Sequence, residues 1–478
     1  MEPEVTKQPI FRRGLNTVSS DDLPEIKQLE EGWFVEFKSQ CPDSPKLAKS
    51  IGSFANAYGG LLIIGAEEDA KTRRLKKFIP MSLDIADETK TKIRQAVEAH
   101  LQPPPVFFMK SLELPAVSCE STERWILLIH IPKGERAPFL HSNGCVYTRK
   151  GDSSSPIPLT DLGLLDRLWS EGRHKQEKLK KRIDFLCSQS PRKLPKVELI
   201  ISVETDYFEE SENPRVTFTN FQSIALAPSR EGATPLFNNA HPLDSSYIAR
   251  YVERSPDAIS LLWDFDYLRN LHYIALPLAT HAWTGSAFEH GQIDHQGLTE
   301  LTQYLSDQES QKELFVVDFT PAGLMMAIVL HKVKELHRTA GQQTSRLCLN
   351  ARVSGVGQSV IFVDLPRYKE HLRISGLPFV HREIDFLYPT ERPEPERWLQ
   401  IKQEQPHTAE NVPDGLDVAN SMVLFILLAE SLGISNLVTV GSDILPWSDT
   451  DFENIVDTYN FLLSRGLSFT ASENPGIV

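Results

Sequence analysis

Residues 31–69 place two short apolar segments on either side of a helical pattern, and this arrangement limits the local fold to a strand–helix–strand unit. Residues 34–37 have strand composition, and residues 45–58 carry apolar side chains at the three- and four-residue spacing of a helix. The Gly59–Gly60 pair ends that helix, because glycine adopts the positive φ of a helix terminus. The wholly apolar run 61–64 then predicts a strand that is covered on both faces.

Charged residues lie at the ends of these predicted strands. Glu36 and Lys38 are two residues apart and so lie on one strand face, and the run Glu67, Glu68, Asp69 follows the second strand. If the strands pair, these groups face each other at one edge of the sheet. Carboxylates so close repel, and a divalent cation can hold them ionised. Such a site suits phosphodiester cleavage, although a Glu-x-Lys triplet also occurs on plain solvated strands.

Length and composition predict a folded, water-soluble protein of two or three domains. The chain has 478 residues, of which 41% are hydrophobic and 24% charged. Its apolar runs are shorter than the roughly 20 residues that span a bilayer, and its first residues lack the form of a signal peptide. The five cysteines are scattered, which is typical of reduced thiols. We therefore expect a cytoplasmic location and no membrane partner.

The net charge of −14 is divided unequally along the chain. Residues 1–200 carry a net charge of +4 and residues 201–478 one of −18. The first part can meet a polyanion, whereas the second would be repelled by one. One short basic run follows the acidic cluster and contains Lys71, Arg73, Arg74, Lys76 and Lys77.

Two groups of residues are candidates for nucleic-acid contacts. The basic run can bind phosphates, with a solvated face as the alternative interpretation. Farther along, Tyr147 can stack on a base while Arg149 and Lys150 contact phosphates, and a plain edge strand explains these residues nearly as well.

The pattern of strands and helices predicts three regions. Residues 1–158 form an α/β (α+β) domain, residues 159–192 form a basic helical linker that contacts substrate or serves as a dimer arm, and residues 193–478 form an acidic α+β domain of regulatory, sensing or assembly role. In the third region we predict strands at 197–203, 215–221, 314–318 and 359–365, and helices at 321–338, 419–432 and 451–463.

Several sequence blocks occur in the order found in one known domain family. They are Val35–Lys38, Ser53–Gly60, Ile63–Asp69 and Val146–Ser154. The most specific is Phe-Ala-Asn-x-x-Gly-Gly followed by Ile-Gly. Over roughly residues 22–158 the chain resembles the AlbA-like domain of the Schlafen family, which is also known as a divergent AAA group.

This resemblance implies a divalent-metal-dependent endoribonuclease that cuts tRNA or other structured RNA. The three acids of the Mg²⁺ or Mn²⁺ site would be Glu31, Glu36 and Glu68, and Lys38 would neutralise charge that develops during cleavage. At the position of the third acid the family usually has two consecutive aspartates, and this chain departs from that pattern. Asp69 is therefore the alternative metal ligand to Glu68. Family members with two such lobes surround RNA, so a homodimer or higher assembly would be the equivalent here. A toxin or antiviral defence role follows by analogy.

Two other functions stay open at this stage. One is a non-catalytic, AlbA-like DNA- or nucleotide-binding regulator, and the other is a structural assembly protein. The sequence has no phosphate-binding loop of the Gly-x-x-x-x-Gly-Lys-Ser/Thr type, no paired zinc-ligand spacing and no Gly-x-Ser-x-Gly motif.

Overall fold

The computed structural model describes residues 14–434, except 116–123, 135, 150–154, 190–194, 206–214, 229–234, 252–260, 286–295, 308–312, 343, 364–365, 392 and 403–414. This part of the chain divides into two compact units. The first runs to Lys181, and the second holds nearly all of the chain from Arg182 onward. The division therefore falls inside a long helix (Leu162–Gln189) rather than at either end of it.

The first unit is built on a four-stranded sheet in the order β1-β2-β7-β6. Strands β1 and β2 are parallel, and the other neighbours are antiparallel. The strands of the unit are β1 (Val35–Lys38), β2 (Gly59–Ile64), β3 (Ala66–Glu68), β4 (Leu75–Phe78), β5 (Leu101–Gln102), β6 (Phe108–Glu113), β7 (Trp125–Pro132), β8 (Leu140–His141), β9 (Tyr147–Thr148) and β10 (Ile157–Pro158). The helices are α1 (Leu23–Ile26), α2 (Ser44–Ala55), α3 (Leu83–His100) and α4 (Leu162–Gln189).

Both faces of this sheet are covered, which explains why β2 is apolar throughout. Leu62 and Ile64 face a core formed with α2 and α3, whereas Leu61 and Ile63 face a second core formed with the N-terminal segment. The predicted strand–helix–strand order and the two-sided burial of residues 61–64 are confirmed, and the structure shows that the two strands pair in parallel.

The positions next to β2 follow from local chemistry. Helix α2 begins where the Asp43 side chain accepts a hydrogen bond from the Lys46 backbone N–H at 3.0 Å. Gly65 ends β2 with a φ of 90°, and the chain then turns into the β3–β4 hairpin. This turn places the acidic run at the same sheet edge as the end of β1, because the Gly65 N–H donates to the Lys38 carbonyl at 2.8 Å.

The second unit is an α+β structure with two open sheets. Seven strands have the order β12-β13-β14-β15-β11-β18-β21, and four have the order β16-β17-β19-β20. The strands are β11 (Lys196–Thr205), β12 (Asn239–Pro242), β13 (Tyr247–Arg250), β14 (Leu262–Asp266), β15 (Leu271–Pro277), β16 (Ala279–Trp283), β17 (Leu314–Asp318), β18 (Thr344–Ser354), β19 (Ser359–Phe362), β20 (Phe379–Val380) and β21 (Leu399–Lys402). The helices are α5 (Phe218–Leu226), α6 (Gln296–Asp307), α7 (Ala322–Thr339), α8 (Pro366–Ser375) and α9 (Gly415–Ser431).

One predicted strand of this unit is wrong, and one predicted helix lies outside the described residues. The segment 215–221, predicted as a strand, enters helix α5 instead. Thr217 and Asn220 cap that helix reciprocally, and Phe221 and Ala225 then face the core one turn apart. The helix predicted at 451–463 falls in the part of the chain that the structure does not describe.

Among the described residues, no helix combines the length and the apolar character that crossing a bilayer requires.

We predict that Gly60→Ala destabilises the first unit. A Cβ at Gly60 would lie 2.6 Å from the Phe34 carbonyl oxygen and 2.4 Å from the Phe54 ring. That carbonyl cannot move freely, because it accepts a 2.7 Å hydrogen bond from the Leu61 N–H. The free energy of unfolding, measured with urea, should fall by about 1–3 kcal/mol. The matched control is Gly32→Ala, where no heavy atom lies within 4 Å. Equal effects of both changes would contradict this account.

Candidate active site

A buried carboxylate, Glu36, forms the centre of the charged cluster in the first unit. It lies in β1 on the side that faces α2 and is 2% exposed. One oxygen, Oε1, accepts a hydrogen bond from the Ser50 hydroxyl at 2.9 Å and lies 2.7 Å from Lys38 Nζ. The other oxygen, Oε2, pairs with Arg149 Nη2. Both oxygens of Glu36 are therefore bound by groups of the protein itself.

Arg149 is the buried partner of Glu36 and connects three parts of the domain. Its other guanidinium nitrogens donate to the Gly32 carbonyl at 2.9 Å and to the Ser53 hydroxyl at 3.2 Å. The guanidinium carbon lies 3.6 Å from the centre of the Phe54 ring. Burial lowers the pKa of Arg149, and the charge of Glu36 acts in the opposite direction. A buried charge of this kind is stable only when it is paired and hydrogen-bonded.

Two neighbouring carboxylates, Glu31 and Glu68, lie beside the ion pair of Glu36 and Arg149. Glu31 is 6% exposed and accepts a hydrogen bond from the Phe37 backbone N–H at 3.0 Å. Its side chain also shares a hydrogen bond with that of Glu68, which is exposed on β3. The pKa of Glu31 is raised to about 8, first by burial and then by the hydrogen bond and the charge of Glu68.

Lys38 provides a positive charge between the two carboxylate groups. Its amine is paired with Glu36 and also acts on Glu31, whose pKa it lowers. About a third of its side chain (35%) is exposed, so a bound anion can reach it. The predicted placement of Glu36 and Lys38 on one face of β1 is confirmed by their ion pair.

The donor set can be tested for a divalent cation. Among the described residues, no group of three or more His, Cys, Asp or Glu side chains is arranged to hold a metal ion. Glu31 and Glu68 do fit one, because they are adjacent carboxylates whose mutual repulsion a cation would relieve. Mg²⁺ is commonly held by one or two carboxylates, with water and substrate phosphate completing its shell. The structure therefore fits a cation held by two acids rather than by the predicted three.

Two residues predicted as metal ligands have other partners in the structure. Glu36 is occupied by the donors described above, so its geometry is that of an ion-pair anchor. Asp69 caps the turn of the β3–β4 hairpin, where its Oδ1 accepts hydrogen bonds from the backbone N–H groups of Thr72 at 2.9 Å and Lys71 at 3.0 Å. These hydrogen bonds lower the pKa of Asp69.

The predicted basic run lies on the β3–β4 hairpin, beside the carboxylate pair. Lys76 and Lys77 form ion pairs with Glu67 at 2.8 and 3.2 Å, and Arg74 pairs with Glu30 at 2.7 Å. These pairs neutralise part of the positive charge but leave the cationic groups at the surface. Arg74, Lys71, Lys76 and Lys77 are exposed, and Arg73 is half-buried. The prediction that these cations contact phosphates therefore stays open for the β3–β4 hairpin.

The residues of the second predicted nucleic-acid contact are placed differently. Tyr147 is 7% exposed, and Lys49 Nζ lies 4.5 Å from the centre of its ring. Arg149, 5% exposed, is the partner of Glu36. Neither side chain is available at the surface for the base stacking or phosphate contact that we expected. Lys150 lies outside the described residues.

Sequence reasoning missed the polar side chains that hold Arg149 and Glu36 in place. Ser50 and Ser53 interrupt the apolar face of α2, and this irregularity was the available signal. Asn56 donates to the carbonyls of Phe139 at 3.0 Å and Tyr147 at 2.9 Å. It thereby positions the strand segment that carries Arg149.

Comparison with known proteins agrees with this architecture. Residues 31–158 match the family described as Schlafen, AlbA_2, so the first unit contains a Schlafen AlbA-like domain. No curated protein matches the chain. Among solved structures, the DIP2311 protein from Corynebacterium diphtheriae is similar over 27% of this chain and 25% of its own, with 19% identity and a TM-score of 0.18. The matched part is thus about a quarter of that protein, and a likeness at this TM-score carries no functional argument.

We predict that Arg149→Met strongly destabilises the first unit, because it leaves Oε2 of the buried Glu36 carboxylate without its partner and Lys38 as its remaining cation. The loss in unfolding free energy should be about 3–5 kcal/mol. Arg74→Met removes an exposed arginine from its pair with Glu30 and should cost at most about 1 kcal/mol. Adding Glu36→Gln to Arg149→Met should recover part of the loss. Urea titrations measure all three variants, and similar losses for the two single variants would refute the prediction.

We also predict that Glu31 makes stability fall as pH rises in metal-free buffer. The folded protein keeps its Glu31 proton up to a pKa of about 8, whereas the unfolded chain releases it near 4.5. Between these values the folded state binds more protons, so its stability decreases with increasing pH.

Glu31→Gln removes the titrating carboxyl group and with it this decrease of stability with pH. The unfolding free energy of the variant minus that of the unaltered protein should therefore rise between pH 5 and pH 8, by up to a few kcal/mol. Urea unfolding in EDTA across this range measures the difference, with Glu30→Gln as the control. Parallel curves for Glu31→Gln and the unaltered protein would contradict the shifted pKa.

Proposed function

We propose that this protein is a divalent-metal-dependent endoribonuclease that cleaves structured RNA, with tRNA as the first substrate class to test. The Schlafen AlbA_2 match connects the domain with nucleic acid. The observation that carries the enzymatic proposal is the carboxylate pair of Glu31 and Glu68, which lies next to Lys38 at the edge of the sheet.

The charge balance of the site supports phosphoryl chemistry. Glu31 and Glu68 repel each other when both are ionised, and a Mg²⁺ or Mn²⁺ ion is the chemical group that removes this repulsion. When bound, such an ion would stabilise negative charge on a scissile phosphate as a Lewis acid. The two acids would hold it from two different segments of the chain, the loop before β1 and strand β3.

The protein's own cations take separate roles in this proposal. Lys38 is partly exposed beside the carboxylates and can neutralise charge on the phosphate in the transition state. Arg149 is buried, so it acts through Glu36 by keeping β1 in place, and Glu36 in turn orients Lys38. The cations of the β3–β4 hairpin can contact the RNA backbone, and such contacts weaken as salt rises.

A second candidate function is a non-catalytic nucleic-acid- or nucleotide-binding module. The observation that favours it is the full occupation of Glu36, because both of its oxygens are already bound by Ser50, Lys38 and Arg149. A domain of this kind would use the same basic hairpin and would bind RNA or DNA without cutting it.

The deciding experiment uses the full chain with total tRNA, in Mn²⁺, in Mg²⁺ and in EDTA. Glu68→Gln is the primary variant, because Glu68 is exposed and the change should leave the fold intact. We expect fragments only with metal, and a rate lower by about 100-fold or more in Glu68→Gln, since a bound cation contributes several kcal/mol of charge stabilisation.

Glu30→Gln is the matched control, since it alters a neighbouring exposed acid that pairs with Arg74. It should keep nearly full activity. Cleavage that is equal in EDTA, or unchanged in Glu68→Gln, would overturn the proposed metal site. A mobility shift without any fragments would support the non-catalytic module instead.

A further inference from the structure

Three aromatic rings lie close together on the first unit, in the segments that precede β1 and β2. Trp33 and Tyr58 are stacked, with ring centres 5.8 Å apart and planes only 13° from parallel. Phe34 is tilted against both rings, at 6.4 and 6.2 Å. Phe34 also packs against the core on its side of the sheet, whereas Tyr58 is 63% exposed. The outermost ring of the stack thus presents an open face.

Hydrogen bonds fix the backbone of the segments that carry these rings. The Gly32 N–H donates to the Val35 carbonyl at 2.9 Å, and the Gly32 carbonyl accepts from Arg149 at the same distance. The Phe34 carbonyl is bound by the Leu61 N–H at 2.7 Å. Tyr58 directly precedes β2, so it is tied to the sheet. A rigid aromatic surface loses little conformational entropy when a flat ligand stacks on it.

Trp33 lies in the same short loop as Glu31, one of the two carboxylates. Trp33 follows Glu31 by two residues, so their Cα atoms are at most about 7.6 Å apart. A base on the stack and a phosphate at the carboxylates can therefore belong to the same short strand of RNA.

A cationic side chain, Arg167, lies near the exposed ring. Arg167 lies near enough to Tyr58 for the two to interact electrostatically. The backbone of Lys133 is beside Gly59, the residue after Tyr58. Arg167 and Lys133 share a single acid, Glu171, at 2.8 and 3.0 Å, which leaves a net positive charge. This combination of a ring with nearby cations suits the base and the phosphates of a nucleotide.

We propose that Trp33 and Tyr58 form a stacking platform for an unpaired base of the RNA, so that the protein binds single-stranded or looped RNA next to its carboxylates. A base inside a duplex already stacks on both sides and cannot reach the platform, so the platform selects unpaired nucleotides. This inference rests on the proposed function for its ligand class, RNA, but it concerns binding and not cleavage.

The test measures binding without cleavage. The full chain is titrated, in EDTA, into a fluorescently labelled single-stranded RNA and into a duplex of the same sequence, and anisotropy gives the dissociation constants. Tyr58→Ala should weaken binding of the single strand by roughly 5- to 100-fold, the range expected for the loss of one base–aromatic stack. Tyr58→Phe, which keeps the ring, should bind within about twofold of the unaltered protein.

Two controls separate stacking from general damage. Ile85→Ala removes another exposed apolar side chain, 53% exposed on α3, and should not change binding. The second control is a series of RNAs in which one nucleotide at a time lacks its base. At one position, loss of the base should weaken binding to the unaltered protein as much as Tyr58→Ala weakens binding of the intact RNA. Combining that abasic RNA with Tyr58→Ala should then weaken binding no further.

The platform would be refuted if Tyr58→Ala binds the single strand normally, if single strand and duplex weaken equally, or if the loss appears only as reduced self-association in sedimentation. The outcome is independent of the nuclease proposal. If Tyr58→Ala weakens binding but the protein does not cleave RNA, the stacking platform is supported and the nuclease proposal is refuted. If the protein cleaves RNA with metal but Tyr58→Ala does not change binding, the nuclease proposal is supported and the platform is refuted.

Discussion

The buried ion pair of Glu36 and Arg149 is the interaction on which the first unit depends. A carboxylate placed on the inner face of β1 is costly to bury, and the guanidinium that compensates it follows β9, more than a hundred residues later. Asn56 helps to place Arg149, because it binds the carbonyls of Phe139 and Tyr147 at the end of α2. The pair thus joins the first strand, the first long helix and the last part of the domain around one point.

This pairing divides the acids of the cluster into two chemical classes. Glu36 is satisfied by Ser50, Lys38 and Arg149, so it is structural in its immediate contacts. Glu31 shares a hydrogen bond with Glu68 instead, and burial together with this neighbour raises the pKa of Glu31. In the proposed function, a metal ion would bind between these two acids and replace the proton that Glu31 otherwise retains. For this reason the proposal places the chemistry between the loop before β1 and the start of the hairpin.

The second unit uses buried polar contacts in a different way. Lys332 on α7 donates to the carbonyls of Ile224 and Ala227 at the end of α5, both at 2.7 Å, and burial lowers its pKa to about 8. Asp417 on α9 pairs with His331 and Lys334 on α7. These contacts hold the helices of the unit together. The large excess of negative charge in residues 201–478 would repel a polyanion.

The sequence by itself determined the local elements and the composition of the site. An apolar run of four residues after two glycines predicts a strand buried on both faces, and the two-residue spacing of Glu36 and Lys38 places them on one side. The acids Glu31 and Glu68 were singled out by the family resemblance rather than by local patterning, and their role stays a prediction. The strand predicted at 215–221 was wrong. Its apolar composition suits a strand, but Thr217 and Asn220 form a helix cap, and this cap exists only once helix α5 has formed.

Only the tertiary structure decided which charges meet. Whether Arg149 faces solvent or Glu36, and whether Asp69 binds a cation or caps a turn, depends on contacts between segments far apart in sequence or on the path of a turn. The stacking of Trp33 on Tyr58 is likewise a meeting of two segments, one before β1 and one before β2. Periodicity reports which face a residue occupies, but burial and pairing depend on what the rest of the chain places opposite that face.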